Sequence, residues 1–385
     1  MDTRFPPPPK KIKVPLYSLF KPFSLSGEKR LKDLLLAHYR IRESRMILAS
    51  KGSSALCSFL LNFPKAAVAL PSFCCPEVAH AILQAGCTPI FLEVDEQLQF
   101  TEKSVRFAAE NGSKFILWPH YFGARKIAPH LRTLCRTLGM YFIEDQAQSF
   151  PEFAGNDPTD ADAILFSFGP SKKLGGIGGG GLCLYHENLE GSFPLKKNSY
   201  SLKAYLKHLI FSQIRRASPS FAAYFKLFPP LQSDLKILLE NRSFFLSLEN
   251  LSCLQSKRAS FLMSEYFKKK DSLLKNLEKL KKAVTTKFTS EPLKWIEGIE
   301  LPSIFAIDAG PNRYHFSEHL SKRGIQTTWY YHPLHLLSSF KSFNCERSME
   351  ITSKIASRIL ILPFQWSHTD SQINHLIQSI SEYEY

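Results

Sequence analysis

YFIEDQAQSF (residues 141–150) and ADAILFSFGPSKKLGGIGGGG (residues 161–181), joined by an acidic loop, decide how the rest of the chain is read. They contain two apolar runs, Met140–Ile143 and Ala163–Phe168, each long enough for a buried strand. Each run ends in polar residues: Glu144 and Asp145 after the first, Ser167 through Lys172 after the second. Open α/β sheets bind ligands just beyond the carboxyl ends of their strands. Asp145 and Lys172 are therefore expected to converge on one ligand, although they lie far apart in sequence.

A carboxylate and a lysine so placed suit pyridoxal phosphate. The lysine forms a Schiff base with the aldehyde. The carboxylate keeps the ring nitrogen protonated, so the ring can take up the electrons of a substrate carbanion. These two residues alone decide nothing, because an ordinary Asp and Lys at strand ends look the same.

The wider pattern decides more. EDQAQS followed by SFGPSKKLGGIGGGG resembles the DegT/DnrJ/EryC1/StrS family of sugar aminotransferases, which carries EDxAQ, then SFxxxK, then a glycine-rich stretch. The resemblance implies an α/β chain of fold type I, with a mostly parallel central sheet flanked by helices and a smaller C-terminal α/β domain. It places Asp145 on the pyridinium nitrogen, Gln148 at the cofactor-site glutamine, Ser167 on the phosphate and Lys172 on the Schiff base. The step from Ser167 selects Lys172 over its neighbour Lys173. The likeness runs from about Ala49 to Leu184 and resumes from about Leu301 to Ile380.

Upstream, MILASKGSSALCSFLLNF reads as a short strand, then Gly52-Ser53-Ser54, then an apolar helix from Ala55. A glycine and hydroxyls opening a helix can cradle a phosphate, because backbone N–H groups and the helix dipole point at it. The family's SGTxAL segment grips the cofactor phosphate, and Gly52 and Ser53 match its glycine and threonine. Ser53 could equally be a plain N-cap. The run AAVALPSFCCPEVAHAILQAGCTPIFLEVD reads as strand, turn, helix, strand. The family often puts an aromatic on the cofactor ring where Cys75 stands here, so either Phe73 or Cys75 faces the ring.

Phe115–Pro119 leads to His120-Tyr121-Phe122-Gly123, similar to the family's PVHLYG. His120 is either a base or a buried structural histidine. A helix Ile127–Leu138 follows. The glycines 175–181 lack GxxxxGK[ST], and no strand directly precedes a GxGxxG pattern. They read instead as a loop of close backbone packing, at a subunit contact. GIQTTWYYHPLH (324–335) resembles the family's GI.T..HY.PLH, which makes His332 and His335 substrate-pocket candidates.

With 385 residues, 44% of them hydrophobic, the chain can fill a large core in two or three domains. The expected division is 1–45 as an arm and leading helix, 46–282 as the large cofactor domain, and 283–385 as the small domain. Asn250–Lys282 reads as one long helix with a lysine-rich solvent face, a linker follows over Ala283–Pro292, and Ile304–Ile307 is a strand. No apolar stretch reaches the roughly 18 residues of a membrane span. MDTRFPPPPKKIKV lacks the apolar core of a secretory signal. The eight cysteines contain no CxxC and read as free thiols in a reducing cytoplasm, with no zinc site.

The net charge of +15 calls for an anionic partner. Residues 191–250 depart from the family. Its G-x-NYR asparagine, which reaches the partner's cofactor phosphate, has only Asn198 and Asn241 as candidates here. Within this stretch, residues 191–233 hold no Asp or Glu. Leu202, Tyr205, Leu206, Leu209 and Ile210 fall on one helix face, interleaved with lysines and aromatics. The segment either packs on the large domain or the other subunit, or docks on an anionic membrane or lipid-linked substrate. Nucleic acid ranks third, for want of a recognised module.

The resulting expectation is a homodimeric aminotransferase. It moves an amino group from an amino acid, glutamate by resemblance, to a keto-sugar, nucleotide-linked by resemblance, in polysaccharide or secondary-metabolite synthesis. The alternatives are another fold type I enzyme of amino-acid metabolism, or a family-derived basic binding protein.

Overall fold

The computed structural model of the chain describes residues 26–124, 128–151, 161–169, 172–198, 246–288, 291–364 and 368–384. The apolar runs become strands of one sheet: β1 (Met46–Ala49), β2 (Ala67–Pro71), β3 (Thr88–Leu92), β4 (Ser113–Pro119), β5 (Tyr141–Asp145), β6 (Ala163–Ser167) and β7 (Gly180–Leu184). Their order is β1-β7-β6-β5-β4-β2-β3. Neighbours from β6 to β3 are parallel, and β7 alone runs against the rest. Strands covered on both faces read as unbroken apolar runs rather than alternating ones. Along β4, Phe115 and Leu117 face one core cluster while Ile116 and Trp118 face the other.

Helices cover both faces. One face carries α2 (Gly52–Leu60) and α3 (Pro76–Gln84), which pack on each other. The other carries α4 (Glu102–Glu110) and α5 (Pro129–Thr137). It is also covered by α1 (Ser26–Tyr39), lying on α6 (Cys253–Lys268). α2 is buried at every position from Gly52 to Leu60, so packing on all sides holds it.

The C-terminal part pairs β8 (Phe305–Asp308) with β9 (Ile359–Leu362) antiparallel. α8 (Arg313–Lys322), α9 (Glu350–Arg358) and α10 (Asp370–Ser381) accompany them, and α7 (Lys270–Lys287) packs on α10. One buried cluster runs unbroken from the α1 side of the large sheet to β8 and β9.

Three sequence expectations shift. The long helix over Asn250–Lys282 is two helices. α6 ends at Lys269, whose φ of −103° and ψ of 0° leave the helical region. The second helix, α7, continues to Lys287, through the start of the expected linker. The glycine-rich stretch is not all loop, because Gly180 and Gly181 are the first residues of β7. Their close approach is to the chain's own backbone: a Cβ on Gly180 would lie 2.5 Å from Phe166 O and 2.6 Å from Gly52 N.

Candidate active site

Strand register sets the levels of the carboxyl edge. Asp145 lies opposite Pro119 on β4 and Leu165 on β6. Ser167, two residues further along, lies opposite Gly180, which faces Ala49 of β1. A Cβ on Gly52 would sit 2.8 Å from Phe166 O and 3.4 Å from Ser167 Cβ, so α2 starts directly against the end of β6.

Asp145 is buried, and its Oδ1 accepts the Ala147 N–H at 2.9 Å. Burial pushes its carboxyl up. The Lys172 ammonium opposes that most, then the Ala147 N–H and His120. The two residues that sequence placed on one ligand therefore feel each other's charge. The thiols of Cys74 and Cys75 are also pushed up, by burial first, and both sense Lys172 and Asp145. Lys172 is half-buried in the turn after β6, where its N–H donates to Gly169 O at 3.0 Å. Lys173 points elsewhere: its Nζ donates to Leu301 O at 2.8 Å and lies 5.6 Å from the centre of the Tyr266 ring.

α2 opens without a side-chain cap. Its N-cap is Lys51, with extended backbone (φ −147°, ψ 155°), and its first turn holds no acidic residue. The first N–H groups of such a helix lack internal partners. Ser53 is therefore not the N-cap. Its hydroxyl donates to Glu77 Oε2 at 3.1 Å, across to the first turn of α3. Ser167 Oγ lies 3.5 Å from Gly179 O and accepts the Gly169 N–H at 3.3 Å. An uncapped, buried helix start beside a lysine and a buried carboxylate fits the phosphate, aldehyde and ring nitrogen of pyridoxal phosphate.

Gln148 is buried. Its Oε1 accepts the Phe122 N–H at 2.7 Å, and its Nε2 donates to the Tyr331 hydroxyl. His332 is exposed, and His335 Nδ1 is 2.7 Å from Ser72 Oγ. Tyr331 is the residue the sequence reading missed, and the tyrosine in the HY.PLH pattern was the available signal. Burial lifts its hydroxyl far above the usual range, with contributions from Cys75, Tyr330, Cys74 and Asp145, so it too borders the site.

Phe73 is wholly buried, its ring 5.7 Å from Tyr121 and 5.6 Å from Tyr331. Of the two ring-facing candidates, Cys75 is the half-exposed one within the field of Lys172. His120 is buried, with Nδ1 3.0 Å from Ser149 Oγ and Nε2 3.2 Å from Glu144 Oε2. Arg132 completes that set at 3.2 Å from Glu144 Oε1. This is the setting of a structural histidine. Asn198 is tied within its own chain, donating to Asn250 O at 2.9 Å and Gln255 Oε1 at 3.1 Å. Asn241, and residues 199–245 with it, lie outside the described residues.

A mostly parallel sheet with its lysine and carboxylate at the carboxyl edge defines the fold type I class. The chain belongs to the DegT/DnrJ/EryC1/StrS aminotransferase family, whose sequence model matches residues 35–191 and 251–381 and skips the stretch expected to diverge. A UDP-N-acetyl-3-dehydro-alpha-D-glucosamine 3-aminotransferase of Acidithiobacillus ferrooxidans is 32% identical over 118 residues, covering 30% of this chain and 32% of that protein. The match thus spans about a third of that relative's length. A DegT DnrJ EryC1 StrS aminotransferase from Brucella abortus has the same fold, with a TM-score of 0.62 at 20% identity over 94% of this chain and 90% of that one. So does NtdA from Bacillus subtilis with bound cofactor PMP, with a TM-score of 0.63 at 19% identity over 93% and 77% of the two chains.

Proposed function

We propose that the protein is a pyridoxal-phosphate-dependent aminotransferase that moves an amino group from an amino acid to a keto-sugar. One observation carries the reading: the buried Asp145 ends β5 and Lys172 stands in the turn after the neighbouring β6, at the sheet edge where α2 begins uncapped. When bound, the cofactor supplies an electron sink for charge developing at the donor's α-carbon. Lys172 would hold the aldehyde end, and its Nζ would move the proton at that carbon as base and then acid. Asp145 keeps the ring nitrogen protonated. The first amides of α2, from Gly52, together with Ser53 and Ser167 take the phosphate. Gln148, braced by the Phe122 N–H and Tyr331, fixes the ring's position.

Glutamate as donor and a nucleotide-linked keto-sugar as acceptor complete the reading, the latter supported by the name of the Acidithiobacillus relative. Residues 46–282 would hold the cofactor, and 283–385 would close over the substrate. A cytoplasmic homodimer is part of the same proposal. An absorbance scan with added pyridoxal phosphate tests the core of it. A visible band, fixed by borohydride onto the peptide carrying Lys172, is the expected result. A protein that folds but gives no band at saturating cofactor would sink the reading.

A further inference from the structure

The helix start read above as the phosphate site has a carboxylate at its mouth. Glu77 Oε2 accepts the Ser53 hydroxyl at 3.1 Å, and Glu77 Oε1 pairs with Lys51 Nζ at 3.2 Å. Lys51 is the N-cap residue of α2, and Ser53 lies in its first turn. Glu77 itself stands in the first turn of α3, behind Pro76. One carboxylate thus engages both side chains that flank the uncapped amides. The Glu77 side chain is 32% exposed and that of Lys51 51%, so the pair sits at the opening and can turn outward. The Cys75 thiol, two residues before Glu77, senses both Glu77 and Lys172.

A phosphate dianion on these amides would meet that carboxylate at close range. Like charges a few ångströms apart repel, and the Ser53 hydroxyl has one proton to donate. Lys51 cannot serve both anions in full.

Resting on the functional reading above, we propose that Glu77 competes with the cofactor's phosphate for Ser53 and Lys51, and so sets how tightly the phosphate end is held. With the phosphate away, Glu77 occupies both groups. As the phosphate enters, Glu77 swings toward solvent, and Lys51 is left to neutralise the anion. This chain therefore holds its cofactor by Lys172 more than by the phosphate, and releases it more readily than an uncontested cradle would.

Titration of the full-length protein with pyridoxal phosphate, and in parallel with pyridoxal, which lacks the phosphate, tests this through the visible band. Glu77→Gln keeps the shape of the side chain and removes its charge. It should bind pyridoxal phosphate about tenfold more tightly, the low end for a like charge a few ångströms away and largely screened by water, and pyridoxal as before. Lys51→Met should weaken pyridoxal phosphate alone. Unchanged affinity of Glu77→Gln for pyridoxal phosphate would overturn the proposal, as would equal tightening toward pyridoxal. A band with neither compound, in wild type or variant, would remove the functional reading and this inference with it.

Discussion

Lys172 and Lys173 are adjacent, yet the fold gives them unlike work. Lys173 joins the turn after β6 to the Leu301 carbonyl and the Tyr266 ring, so it ties the turn to the rest of the core. Lys173→Ala should therefore keep the visible band and lower stability by about 1.5–3 kcal/mol, the worth of a charged hydrogen bond to a carbonyl. Lys172→Ala should abolish the band and leave denaturation midpoints near wild type. Loss of the band in both folded variants would leave the assignment to Lys172 unsupported. Asp145 carries a second, opposed pair of effects. Asp145→Ala should bind the cofactor but turn over roughly a hundredfold more slowly or worse, the scale for losing a positioned electrostatic group; near-normal turnover would mean that another group faces the ring nitrogen. Its folded-state pKa is raised by burial, so the cofactor-free folded protein holds that proton more readily than the unfolded chain does. Ionised Asp145 then costs stability above the folded-state pKa, and that cost fades as the pH falls toward the ordinary carboxylate range. Asp145→Asn should accordingly stabilise the cofactor-free protein at neutral pH and lose that advantage in acid. Denaturation midpoints across pH, showing instead a neutral-pH loss, would refute the burial argument.

Most strands were legible because they are buried on both faces and so are written as apolar runs; β1, half-buried on one face, and β7, which starts in glycines, are weaker cases. β5 and β6 fall within two residues of the runs Met140–Ile143 and Ala163–Phe168. The glycine-rich stretch was legible only as a demand for close approach. Sequence does not say what approaches, and the answer needs strand order: β7 lies between β1 and β6, with Gly52 against its first residue. Gly180→Ala should therefore push the start of α2 off the sheet edge. A loss of about 1–3 kcal/mol is expected from overpacking, together with weaker binding of pyridoxal phosphate than of pyridoxal; unchanged values for both would show that the edge yields freely. The partners of Glu77 and Tyr331 were invisible for the same kind of reason. Each lies on a different element from the groups it meets, so their pairing with Ser53 and Gln148 is a product of packing alone. His120 was undecidable in sequence because its role depends on Glu144 and Arg132, the first pointing inward from β5 and the second from α5.

At the scale of the whole molecule, the charge of +15 is the feature the site leaves unused. Light scattering should give twice the chain mass if the proposed homodimer forms, and a monomer with full turnover would refute it. Lys196, Lys197, Lys203, Lys207, Arg215, Arg216 and Lys226 stand within residues 191–233, a stretch without one acidic residue. This stretch also falls between the two segments matched to the family. A sugar-amine enzyme could use such a segment to work beside a membrane that carries lipid-linked sugars. Contact through a basic, amphipathic segment of this kind would be interfacial. The apolar positions Leu202, Tyr205, Leu206, Leu209 and Ile210 share one side of a 3.6-residue repeat, and Lys203 and Lys207 fall on another. Surface binding of that kind adds apolar insertion to attraction for anionic headgroups, at about 1 kcal/mol for each basic residue near the surface. Co-sedimentation with vesicles separates this from simple packing. Binding to anionic vesicles, weakened by salt and lost in the double variant Lys203→Glu with Lys207→Glu, is the expected result. Equal binding to neutral vesicles would show that charge is not the cause, and no binding to either kind at low salt would return the segment to a packing role within the protein.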